Sequence, residues 1–120
     1  MGAVRKIQWD GLDREDLGGG MARSAFGNDH AMLVFNYLEP GSGVTEPHVH
    51  DFDQLALVLE GAVDFTCDGE SHVVRAGEAL VIPAGVYHAG MTVGDERAVN
   101  LDIFAPARAD YRHLYSWMED

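Results

Sequence analysis

His48 and His50 stand two positions apart in a run that reads as extended chain, Val44 to His50. Side chains at i and i+2 of a strand project from the same face, a spacing at which two imidazoles can share one metal ion. Gln54 has the same parity, and His88 follows Pro83-Ala84-Gly85, a rigid turn placed to deliver a third imidazole. The same spacing also describes two histidines on the solvent face of an exposed strand. Their surroundings favour the first reading: a Gly- and Pro-bearing turn precedes them and the doubly apolar run Leu55 to Leu59 follows, which puts them at the rim or interior of a barrel.

A second cluster lies near the C-terminus. Alternation puts Asn100, Asp102 and Phe104 on one face of a strand and Leu101 and Ile103 on the other. A carboxylate on an inward face is costly unless paired or at work, so Asp102 is expected to orient a ligand or to move a proton. Arg108, after Ala105-Pro106-Ala107, reads either as a solvated charge or as a guanidinium reaching over the mouth to grip a carboxylate. Glu46, two before His48, reads equally as an entrant to the pocket or an exposed loop charge, and Tyr87 as a lining residue or an outward one. His30, His72 and His113 read as surface residues.

The elements that must carry these groups are short apolar runs punctuated by Gly, Pro and Asp, the pattern of an all-β sandwich or barrel. Strands are expected at Ala31 to Leu38, Val44 to His50, Gln54 to Glu60, Ala62 to Cys67, Ser71 to Arg75, Ala79 to Ile82 and Ala98 to Ala105. Asp10 to Gly20 reads as a polar loop with a turn of helix, and Asp110 to Met118 as a short C-terminal helix. The chain reads as one domain, residues 1–120, with its barrel core at about 31–105. Because Leu55 to Leu59 is apolar on both faces, one face is expected to meet a second copy, giving a homodimer.

Composition narrows the function classes. With 120 residues, 8 Lys+Arg against 20 Asp+Glu and a net charge of −12, the chain has no basic cluster for a phosphate backbone, so nucleic acid is not an expected partner. No run nears the roughly 18 apolar residues of a membrane span, and no secretory signal opens the chain, so a cytoplasmic protein without membrane association is expected. The one cysteine, Cys67, reads as a small strand hydrophobe.

The residues Gly43-Val44-Thr45-Glu46-Pro47-His48-Val49-His50, with Gln54 and Gly61 following, resemble the first cupin motif. Gly77, Pro83-Ala84-Gly85 and His88 resemble the second. The resemblance implies a cupin double-stranded β-helix, a jelly-roll barrel. It also implies one divalent metal ion, whether Ni, Zn, Mn, Fe or Cu, held by His48, His50, Gln54 and His88. Three departures stand out: Gln54 where the family usually has Glu, a first spacing one residue short on the Gly43 side, and Thr92 where an Asn often closes the second motif. Three imidazoles and a neutral amide leave the ion's charge uncompensated, which favours anionic ligands.

The stretch Leu101-Asp102-Ile103-Phe104-Ala105-Pro106-Ala107-Arg108-Ala109-Asp110-Tyr111 resembles the ending of small cupins of the pectin-degradation type, which act on unsaturated uronates. That resemblance implies catalytic roles for Asp102 and Arg108 and substrate binding by Phe104 and Arg108. The activity it implies is an isomerase or lyase reaction opening a 4,5-unsaturated monouronate, from pectin or alginate breakdown, to its keto form. The alternative is a mononuclear dioxygenase acting on a small organic acid or phenol.

Overall fold

The computed structural model describes residues 2–118. Ten strands form two antiparallel sheets. In chain order they are β1 (Glu15–Gly18), β2 (Met21–Gly27), β3 (Met32–Leu38), β4 (Gly43–His48), β5 (Gln54–Glu60), β6 (Ala62–Cys67), β7 (Glu70–Arg75), β8 (Ala79–Ile82), β9 (His88–Thr92) and β10 (Ala98–Phe104). The six-stranded sheet runs β1-β2-β3-β10-β5-β8, and the four-stranded sheet runs β4-β9-β6-β7. Two sheets facing each other across a core, with strands far apart in sequence side by side, make the jelly-roll barrel.

Alternation sorts the side chains. On β10, Ala98, Asn100, Asp102 and Phe104 face inward, matched across the ladder by Leu38, Asn36, Val34 and Met32 of β3. Apolar residues gather at both ends of this column. Val58, Val63, Phe65, Ile82 and Ala98 fill one end, and Ala25, Met32, Val34, Phe104 and Tyr115 fill the other. Between the two ends the inward positions are polar: Asn36, Gln54, Asn100 and Asp102. The barrel thus has a polar waist.

Four expectations need correction. The barrel begins well before residue 31, because Gly18, Gly19 and Gly20 all take positive φ and turn β1 back on β2, while Glu15 and Arg23 pair across the ladder. The helical turn expected within Asp10 to Gly20 is confined to Trp9–Gly11. β9 was not expected, since His88-Ala89-Gly90-Met91-Thr92 shows no alternation; Gly90 is set against Val63 and Phe65, where a side chain would crowd. β4 stops at His48 rather than His50, because its pairing shifts between Val44 and His48 around Pro47. The C-terminal segment Ala109–Met118 is a kinked 3-10 helix whose Tyr115 is buried in the core.

Gly61 has a backbone reason for its identity. Its φ is 74°, and a Cβ there would overlap the carbonyl oxygen of Arg97. On the outer side of the large sheet, Trp9 stacks on Phe35 with ring centroids 4.5 Å apart. Leu55, Leu59 and Val81 of the same face stay exposed.

Candidate metal centre and substrate cavity

The last residue of β4 pairs with the first of β9, so His48 lies opposite His88. His50 follows two residues later, and Gln54 opens β5. Ring centroids are 4.2 Å apart for His48 and His88, 4.8 Å for His50 and His88, and 6.0 Å for His48 and His50. One nitrogen from each ring lies within 4.8 Å of those of the other two, close enough to hold a single ion.

Hydrogen bonding decides which nitrogens are available. His50 Nδ1 is 3.0 Å from the Phe52 carbonyl, and His88 Nδ1 is 2.9 Å from that of Val86. A carbonyl only accepts, so each Nδ1 carries the proton and each Nε2 keeps its lone pair. His88 Nε2 is buried with no hydrogen-bond partner. His50 Nε2 faces Gln54 Oε1 at 3.2 Å, two acceptors pointed at each other. A cation shared between them resolves both conflicts, so the residues present fit a divalent metal. Burial, with help from the neighbouring rings, holds the pKa of His48 below the ordinary histidine value; burial does the same for His50. Neutral imidazoles are the form a metal requires.

Gln54 faces two ways. Its Oε1 turns to the histidines and its Nε2 donates to Asp102 Oδ1 at 2.8 Å. An ionised glutamate could supply the first contact but not the second. Asp102 Oδ1 also accepts from Asn100 Nδ2 at 3.1 Å, and Oδ2 accepts from Asn36 Nδ2 at 3.0 Å. Asn100 is itself oriented, donating to the Leu57 carbonyl at 3.1 Å and accepting from Asn36 at 3.0 Å. Two donors fill Oδ1, whereas Oδ2 has one and keeps a lone pair open. Burial pushes the Asp102 carboxyl above its ordinary value, against the three amides that pull it down.

A cavity of about 220 Å³ joins these groups, lined by His48, Gln54, His88, Asp102, Phe104 and Arg108 among others. Arg108 lies 3.8 Å from the Tyr111 ring centroid, 4.9 Å from that of Phe52 and 5.0 Å from that of Phe104. Asp110 takes its Nε at 3.1 Å and one Nη2 hydrogen at 2.8 Å.

The structure therefore brings together His48, His50, Gln54, His88, Asp102, Phe104 and Arg108. Glu46 and Tyr87 stand apart: both are exposed and neither lines the cavity. For Glu46 the reason is the irregular pairing around Pro47, which breaks the alternation its expected placement relied on. Three residues were missed. Asn36 had a readable signal, a polar residue at an inward position of an apolar strand. Arg23 and Phe52 had none, because the first lies on a strand the pattern did not show and the second in a loop.

Comparison with known proteins agrees with this geometry. The family model described as Cupin domain matches residues 35–104. The pectin degradation protein KdgF of Dickeya dadantii is 32% identical over 99 residues, 81% of this chain and 88% of that protein. The structure of KdgF from a Halomonas species superposes with a TM-score of 0.79 at 26% identity, covering 91% of this chain and 98% of that one. An RmlC-like cupin from Shewanella frigidimarina gives 0.79 at 27% identity over 91% and 96% of the two chains. With two facing antiparallel sheets, three histidines converging at the polar waist and a family match over most of its length, this chain belongs to the cupin family and is a small cupin of the KdgF type.

Proposed function

We propose that the protein is a metal-dependent isomerase or lyase that converts a 4,5-unsaturated monouronate, released in pectin or alginate breakdown, into its open-chain keto form. The observation that carries this reading is the carboxyl of Asp102, with one open lone pair, set in one cavity with a stacked arginine and with His48 and His88, two of the three clustered imidazoles. The likeness to KdgF over 88% of that protein's length supports it.

A divalent ion held by His48, His50, Gln54 and His88 would supply Lewis acidity toward a substrate oxygen. The chain's own residues do the rest. Arg108, its inner edge fixed by Asp110, turns its remaining donors to the substrate carboxylate. Phe104 supports the guanidinium and walls the cavity. Ring opening removes a proton from the hemiacetal hydroxyl, breaks the ring C–O bond and returns a proton to C4, leaving two carbonyls and no change in oxidation state. Asp102 Oδ2 can take the first proton and give back the second, and its elevated pKa suits both halves. The reading includes a cytoplasmic setting and a homodimer that covers Leu55, Leu59 and Val81.

The test is the anaerobic decay of the substrate's ultraviolet absorbance, which falls when C4 is protonated and conjugation is lost. Decay with metal-loaded protein, abolished by chelation, is the expected result. Decay that requires oxygen would overturn it in favour of the dioxygenase.

A further inference from the structure

Two of the chain's eight basic residues line the cavity, Arg23 and Arg108, and among the described acidic residues only Asp102 does. In a chain of net charge −12 that is a local reversal of sign. Arg23 stands on the inward face of β2, opposite Asn36 of β3. Its side chain is 16% exposed, close to the 14% of Arg108. Both guanidiniums rest on one ring, Arg23 at 4.6 Å and Arg108 at 3.8 Å from the Tyr111 centroid.

The two arginines are also held alike. Glu15 Oε1 accepts from Arg23 Nε at 3.0 Å and Nη2 at 2.7 Å, as Asp110 does from the same two nitrogens of Arg108. A guanidinium has five N–H groups, so each keeps its outer edge, Nη1 and one Nη2 hydrogen, which is a fork of parallel donors that fits a carboxylate. Among the described residues neither Nη1 has a hydrogen-bond partner. The paired carboxylates offset the repulsion between the two cations and fix their rotamers before any ligand arrives. The forks belong to different walls. Arg108 lies against Phe52, which stacks on His50 at 4.1 Å, whereas Arg23 belongs to the β1–β2 hairpin.

We infer that Arg23 is a second anion-binding residue of the cavity, and that the site takes a six-carbon sugar acid held at both ends, its carboxylate by Arg108 and its far oxygens by Arg23. The inference deepens the uronate reading and rests on it. An arginine needed only to tie β1 to β2 could do so from the solvent face of the hairpin.

The experiment is calorimetric titration of metal-loaded protein with two stable probes, galacturonate, with one terminal carboxylate, and galactarate, with one at each end. Wild type is expected to bind galactarate about tenfold more tightly, the scale of one charge-assisted contact. Arg23→Gln should erase that preference while leaving metal content unchanged, Arg23→Lys should keep part of it, and Arg108→Gln should weaken both probes. Equal affinities in wild type, no binding of either probe, or a preference that survives Arg23→Gln would overturn the inference. Should Arg23→Gln fail to fold, the wild-type comparison still decides. Loss of the turnover reading with the probe preference intact would remove the reaction and leave the two-ended site.

Discussion

Gln54 shows how much one side chain can settle. It must offer an acceptor to the histidines and a donor to Asp102, and among side chains of its length an amide does both without binding a further proton. Gln54→Glu sets a second carboxylate against Asp102, so one of the two must hold a proton near neutral pH. The variant is expected to retain metal, by elemental analysis, and to lose turnover at least tenfold. Asp102→Asn removes the proton carrier while keeping shape, and turnover is expected to fall by about 10² or more with metal retained. The same substitution gives a pH prediction. Folding raises the Asp102 pKa above its ordinary 3.8, so the folded protein binds the proton more tightly than the unfolded chain does. Stability therefore falls as pH rises from the ordinary value through the raised one, and the penalty is complete above it. In metal-free protein, the melting temperature of Asp102→Asn relative to wild type should climb across that window and then level off. A constant offset from its amide facing Asn36 does not alter the slope.

Among elements, β10 carries the greatest share of the site, because one strand's alternation delivers Asn100 and Asp102 to the waist and Phe104 to the cavity wall beside it. That alternation was legible in the sequence, as were the paired histidines, the parity of Gln54 and the Pro83-Ala84-Gly85 turn before His88. What escaped is of two kinds. Asn36 meets Asn100 and Asp102 across 64 and 66 residues, and no local pattern encodes a contact that distant. The β1–β2 hairpin turns through Gly18, Gly19 and Gly20, and β9 carries Gly90 against Val63 and Phe65, glycines that bend the chain or admit a neighbour rather than pack. Gly61 tests this use of glycine directly. Gly61→Ala adds a methyl against the Arg97 carbonyl at φ 74°, and a loss of about 2 kcal/mol or more is expected in denaturant unfolding.

At the scale of the whole molecule, Leu55, Leu59 and Val81 form an apolar strip on an otherwise acidic protein. Burial against a second copy would remove it from water. Leu55→Asp with Val81→Asp is expected to convert the proposed dimer to a monomer by light scattering while leaving metal content unchanged. A wild-type monomer at all accessible concentrations would dismiss the dimer.

The amide ring around Asp102 carries one more implication. Asn36, Asn100 and Gln54 approach it only as donors, and none has a proton to surrender or a base to receive one. Among the described residues Asp102 is a terminus with no side-chain relay behind it. Any proton it holds can come and go by a single door, the open side of Oδ2. In the proposed reaction Asp102 would carry one proton from substrate to substrate, and because the hemiacetal hydroxyl it draws on has already exchanged with solvent, turnover in heavy water is expected to place one deuterium at C4.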